Sequence, residues 1–191
     1  SDFMMEPDAS GFISGHTARW YQEEAHSKIL ASLQDNRSAL CVMATGTGKS
    51  FVYSTLARYW DGPVLVLVHR DELLQQGKAH LENVTGEAVE IEQGEGRSGS
   101  ARLVVASVQS IYRKSRLERL GKDRFTLIIA DEAHHYVAPT YRRPLDYFAD
   151  AKLVGFTATP DRGDALALGK MFDDVAYVMD IQDGIADGWL V

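Results

Sequence analysis

The chain has 191 residues, 45% of them hydrophobic and 25% charged, with a net charge of −7. That is enough for one domain with a sizeable core and short for two, and the acidic balance argues against a wholly basic nucleic-acid binder while leaving room for a basic track on one face. No apolar run is long enough to cross a membrane, residues 1–14 lack the basic start and apolar stretch of a secretory signal, and the single cysteine, Cys41, excludes an internal disulfide framework and fits a reducing cytoplasm.

In chain order, Thr17 is a candidate cap for a helix running to about Leu33, on which Tyr21, Ala25, Ile29 and Leu33 form an apolar stripe at four-residue spacing. Residues 39–43 read as a buried strand, a glycine-rich turn follows, and Ser50 to Trp60 read as a helix broken by Asp61-Gly62-Pro63. Val64-Leu65-Val66-Leu67-Val68 is apolar on both faces, as a central parallel strand requires. Glu72 to Glu82 reads as the next helix, Ala88 to Glu92 as a short strand, and residues 93–100 as a loop with no core residues. Leu103 to Ala106 is a further strand, followed by a helix that carries Arg113, Lys114, Arg116, Arg119, Lys122 and Arg124. That basic run is read equally well as a solvated helix face or as part of a nucleic-acid track. Leu127 to Ala130, Leu153 to Phe156 and Val175 to Met179 are the remaining strands. Strands that are apolar throughout, alternating with helices, indicate an α/β fold with a mainly parallel central sheet and helices on both faces.

The strongest local signal is Ala44-Thr45-Gly46-Thr47-Gly48-Lys49-Ser50, which leaves a strand and enters a helix. That is the setting of a phosphate loop. Glycines let successive N–H groups turn inward toward phosphate oxygens, and the helix start adds partial positive charge. Lys49 is placed to reach the β- and γ-phosphates and the Ser50 hydroxyl to hold Mg²⁺. Met43 stands where the strict pattern has its first glycine. The second signal is Asp131-Glu132-Ala133-His134, at the carboxyl end of the 127–130 strand. Ligands of parallel sheets bind at that end, so both motifs can face one site. Asp131 is placed to support Mg²⁺ directly or through water, and Glu132 to polarise an attacking water as general base. Together they specify a nucleoside triphosphatase.

ATGTGKS, DEAH and Thr157-Ala158-Thr159 resemble motifs I, II and III of superfamily 2 helicases and translocases. The resemblance extends to Arg19-Trp20-Tyr21-Gln22, which looks like the adenine-reading motif of the branch holding XPB-like helicases and type III restriction subunits. Val68 to Leu73 with Gln76 resembles motif Ia, and Val105 to Ser110 resembles motif Ib. The match covers about residues 17–160, and the Met43 departure suits the helicase form of the loop.

The resemblance implies a RecA-like P-loop lobe over residues 17–180, with residues 1–16 as an extension and 181–191 as the start of a hinge toward a second lobe. It implies ATP and Mg²⁺ as cofactors. Thr45, Gly46, Thr47, Gly48, Lys49 and Ser50 would hold the nucleotide, and Arg19 and Gln22 would read adenine. An amide suits that base because its N–H₂ and C=O pair with acceptor and donor together. His134, Thr157 and Thr159 would couple the nucleotide site to nucleic acid, with Arg70, Ser107 and Gln109 near the polymer backbone; such contacts carry little sequence information. His135, Arg142 and Arg143 fall outside the motifs and are expected at a solvated surface. The resemblance implies a DNA helicase or translocase lobe that is nearly inactive alone, because the second lobe supplies the arginines that close over ATP. The alternatives are a binding module of a restriction or repair complex without unwinding activity, and an RNA helicase lobe. A small P-loop kinase is disfavoured because the remaining motifs would then coincide by chance.

Overall fold

The computed structural model describes residues 20–44, 47–94 and 96–179. Helix α1 (Trp20–Asp35) and strand β1 (Ser38–Met43) are followed by α2 (Lys49–Tyr59), β2 (Val64–Val68), α3 (Leu74–Thr85) and β3 (Val89–Glu92). Then come β4 (Leu103–Ser107), the short helices α4 (Val108–Ile111) and α5 (Lys114–Leu120), β5 (Leu127–Asp131), α6 (Pro139–Tyr147), β6 (Lys152–Thr157), α7 (Arg162–Met171) and β7 (Asp174–Met179). The seven strands form one sheet in the order β3-β4-β2-β5-β6-β1-β7, and every pairing is parallel. The expected α/β class is thus observed, parallel throughout rather than mainly so. Thr17 lies outside the described residues.

Strand alternation divides the core in two. Ala39, Cys41 and Met43 pack with α1, α2 and α3 on one face, while Leu40 and Val42 pack on the other with Ile111, Leu117, Leu145 and Leu168. β1 and β2 are buried at every position, as a parallel strand covered on both faces must be. In α2, Phe51 to Ala57 are all buried, because that helix lies between α1 and α3. Ala25, Ile29 and Leu33 of the expected α1 stripe are buried, and Tyr21 packs at its margin.

Three departures from the sequence pattern have local causes. The basic segment is two short helices, with a break between Ile111 and Lys114. Helices α6 and α7, which the apolar pattern does not single out, each bury little: Pro144 and Leu145 in one, Leu168 in the other. The 93–100 loop, expected to carry no core residue, buries Ser98. The reason is Glu92, which is fully buried at the end of β3. Its carboxylate accepts hydrogen bonds from the Ser98 amide, from the Ser98 hydroxyl (2.5 Å), from Arg116 (2.7 Å) and from Arg119 (2.5 Å). Arg116 also donates to the Gly94 and Gly96 carbonyls, and Arg124 to those of Gly99 and Ala101. Half of the basic run therefore fastens this loop to the domain and is neither free surface nor free track.

Burial alone would raise the Glu92 pKa, but the bonds from Arg119, Ser98 and Arg116 outweigh it and the net shift is downward. A depressed carboxyl stabilises fully above its unfolded value of 4.5 and loses that contribution as pH falls through the lower folded value. Removing one partner of a buried ion pair leaves the others uncompensated. Glu92→Ala is therefore expected to cost about 3 kcal/mol in urea unfolding at pH 7, with the difference from the parent narrowing in acid. A difference within about 0.5 kcal/mol, flat with pH, would show that the network carries no stability.

Candidate nucleotide site

The site is built where β1 and β5 end, with β6 between them. After Met43 the chain turns: the Ala44 amide donates to the Met179 carbonyl (3.1 Å), and both the amide and hydroxyl of Thr47 donate to the Ala44 carbonyl (3.2 and 2.5 Å). Gly48 has φ +84°, a conformation that side chains resist, and its carbonyl accepts from Phe51 and Val52 to start α2. The Gln22 amide of α1 donates to the Thr47 carbonyl (2.9 Å) and lies where a Gly48 side chain would begin. The glycine thus serves two needs, the left-handed turn and the close approach of Gln22. Ser50 follows on the first turn of α2; Arg19, Thr45 and Gly46 lie outside the described residues.

Lys49 projects from α2 onto the acidic pair. Its ammonium is 2.5 Å from Glu132 Oε1 and 3.2 Å from Asp131 Oδ1. Burial alone would lower the Lys49 pKa, but the two carboxylates reverse this and hold it above its ordinary value. Burial raises that of Asp131 against the pull of Lys49, whereas for Glu132 the Lys49 contact outweighs burial and the shift is downward. The Glu132 amide donates to Asp131 Oδ1 (2.9 Å). Glu132 is the one non-glycine residue with positive φ, +53°, among the described residues. A strained backbone of this kind persists where the surroundings over-determine it, commonly at functional sites.

Beyond the pair, His134 Nδ1 lies 3.1 Å from the hydroxyl of the buried Thr157 and 3.8 Å from Glu132 Oε2. The structure thus brings motifs I, II and III together through Lys49, Glu132, His134 and Thr157; Thr159 is at the surface. Arg70 and Gln109 are exposed at the same end of the sheet, but Ser107 is wholly buried with its hydroxyl unpaired, so its side chain offers nothing to a polymer running over the surface. Two surface expectations also change. His135 stacks on His69 (centroids 4.1 Å, 18° between planes) and against His134 (4.1 Å, 40°), and Arg143 donates to the Tyr112 carbonyl (3.0 Å). Arg142 stays exposed, 3.8 Å from Asp146. The signal for the imidazole stack was a histidine directly after β2 and another after the acidic box; that these strands are neighbours is a tertiary fact.

No three His, Cys, Asp or Glu side chains gather as a metal cage among the described residues, and no helix there is long and apolar enough to cross a membrane.

Gly86 has φ +70° with open space around it and serves as a reference for Gly48. Gly86→Ala should cost about 1 kcal/mol for the left-handed backbone alone. Gly48→Ala should cost at least about 1 kcal/mol more in the same denaturation assay, since Gln22 must also move, and Gln22→Ala should remove that excess. Equal losses at both glycines would show that Gln22 does not constrain the loop.

A family model described as "Type III restriction enzyme, res subunit" matches residues 15–162. A Schizosaccharomyces pombe protein named as a mitochondrial ATP-dependent helicase, irc3, is 34% identical over 188 residues, 91% of this chain and 31% of its own length. A protein of Sulfurisphaera tokodaii named DNA 3'-5' translocase XPB2 is 32% identical over 146 residues, 76% of this chain and 31% of its own length. The chain thus spans about a third of each. In three dimensions the UvsW helicase of bacteriophage T4 superposes with a TM-score of 0.69 at 20% identity, over 85% of this chain and 60% of that one, which speaks to the fold. The matches support a superfamily 2 helicase N-terminal lobe with a RecA-like fold, and the chain belongs to the family of the type III restriction enzyme res subunit.

Proposed function

We propose that this chain is the ATP-binding first motor lobe of a DEAH-box DNA helicase or translocase, hydrolysing ATP with Mg²⁺ when a second lobe completes the site. The observation that carries the reading is the Lys49 ammonium set between Asp131 and Glu132 at the mouth of a phosphate loop. Nearby, Ser50 and Asp131 offer two oxygen ligands. That fits Mg²⁺, which keeps several waters and takes phosphate oxygens besides one or two protein ligands; bound there, it would neutralise phosphate charge.

The chain's own groups divide the remaining work. Lys49 is drawn from the carboxylates onto the β- and γ-phosphates. Since Lys49 is what holds the Glu132 pKa down, its departure makes Glu132 a better base for the attacking water at the moment ATP is seated. Gln22, already braced on the loop, presents the rest of its amide to adenine alongside Arg19. His134 and Thr157 relay the change toward Arg70 and Gln109, where nucleic acid runs. DNA is favoured over RNA by the Arg19-to-Gln22 pattern and by the translocase relative's name. Residues 181–191 lead into the second lobe and residues 1–16 are an extension. The single buried thiol suits a reducing compartment, the cytoplasm by the sequence expectation, although the irc3 relative is named as mitochondrial.

Without the second lobe's arginines, worth about 10³–10⁵ in turnover, the 191-residue chain is expected to bind Mg-ATP but hydrolyse it very slowly. ATP binding and turnover should be measured alone and with single-stranded DNA, duplex DNA and RNA. Lys49→Ala should abolish binding, and Glu132→Gln should retain binding while losing the residual turnover. Rapid turnover by the chain alone, or ATP binding indifferent to Lys49→Ala, would overturn the reading; stimulation by RNA and not DNA would move it to the RNA branch.

A further inference from the structure

The carboxyl ends of β4, β2 and β5 are neighbours, and beyond them lies a pocket of about 170 Å³ lined by His69, Arg70, Val108, Gln109, His135 and Tyr141. Four of these residues, His69, Arg70, Val108 and Gln109, belong to the motif Ia and Ib segments; His135 and Tyr141 belong to no motif. The His135 and His69 rings lie nearly parallel at 4.1 Å, and burial, as the largest cause, lowers the pKa of both. The Tyr141 ring is exposed, yet it is held edge-on by Tyr112 (6.1 Å, 89°). Tyr112 is in turn fixed from behind, its carbonyl accepting from Arg143 and its ring facing that guanidinium at 6.0 Å.

The polar groups are few. Gln109 brings an amide able to donate and accept at once. His69 Nδ1 is buried with no hydrogen-bond partner. Arg70 is exposed, and no carboxylate pairs with it among the described residues. We propose that this slot receives one unstacked base of a single-stranded nucleic acid, with Arg70 on an adjoining phosphate. The inference rests on the nucleic-acid reading above and deepens it: the expected contacts at Arg70 and Gln109 are to backbone, whereas this slot grips the base itself. A slot lined by rings with an amide at its edge offers a base both a π-face and an edge partner, as stacking platforms for single strands do. A base still stacked and paired in a duplex presents neither face, so the slot discriminates single strands from duplex.

The test uses the 191-residue chain and single-stranded oligonucleotides carrying 5-iodouracil, whose photocrosslinks report weak binding and are mapped by mass spectrometry. Crosslinks are expected on Tyr141 or His135. By fluorescence anisotropy, Tyr141→Ala should bind single strands about tenfold more weakly, within the range for one base stacked on an aromatic side chain, and Tyr141→Phe should restore binding. An abasic strand should be bound with the weaker affinity by parent and Tyr141→Ala alike. Crosslinks confined to other residues, with normal and abasic strands bound equally and Tyr141→Ala without effect, would overturn the base slot while leaving a backbone track. Absence of any crosslink or binding with DNA or RNA would overturn the slot together with the nucleic-acid reading.

Discussion

A half-buried ammonium between two carboxylates is the interaction on which the rest of this domain turns. Lys49 opens α2, Asp131 closes β5 and Glu132 begins the turn beyond it. Burial opposes each charge separately; the two carboxylates hold Lys49 ionised and Lys49 holds Glu132 ionised, while burial and the neighbouring Glu132 still raise the Asp131 pKa. The contact joins two segments 82 and 83 residues apart in sequence. The lysine's partner Glu132 bears a side chain yet stands in the left-handed region. Backbone cost of that kind, about 1–3 kcal/mol, persists where the surroundings over-determine the conformation.

The parallel sheet makes the contact possible. With all strands pointing one way, every loop at the carboxyl end becomes a candidate for the site, and strand order decides which loops meet. β6, between β1 and β5, has to be thin at one point: at Gly155 a side chain would run into Phe172 and come within 2.9 Å of the Ala133 side chain. Ala133 thereby seats the turn that carries His134, and His134 reaches back to Thr157 at the end of the same strand. From Glu132 through His134 and His135 to His69, successive side chains lie in contact or nearly so. The Lys49 end and the Arg70 end are thus joined by packed rings as well as by backbone.

Arginine serves the fold as much as the surface. Arg116 and Arg119 are held by Glu92, and Arg102 bonds to Glu87 and to the Ala57, Trp60 and Gly62 carbonyls. The planar guanidinium, with five donors in a fixed fork, suits this use. It explains how an acidic protein can carry a concentrated basic run without presenting all of it to a polymer.

What the sequence determined alone follows from local rules. Apolar pentads rich in β-branched residues, such as Val64–Val68 after its Gly62-Pro63 turn, fit strands covered on both faces. The glycine-lysine turn between strand and helix, and the acidic pair after Ala130, single out a candidate nucleotide site from the sequence alone, since their chemistry is contained in a few adjacent residues. Tertiary structure decided what depends on partners distant in the chain. Ser107 sits at a strand end like Arg70, yet it is buried, because exposure depends on the elements that pack over it. Glu92 looks like an ordinary edge-strand acid until Arg116 and Arg119 fold back on it. His69 and His135 acquire meaning through the pairing of β2 with β5, which periodicity cannot report, because apolar patterning fixes which face of a strand is inward and leaves open which strand lies beside it.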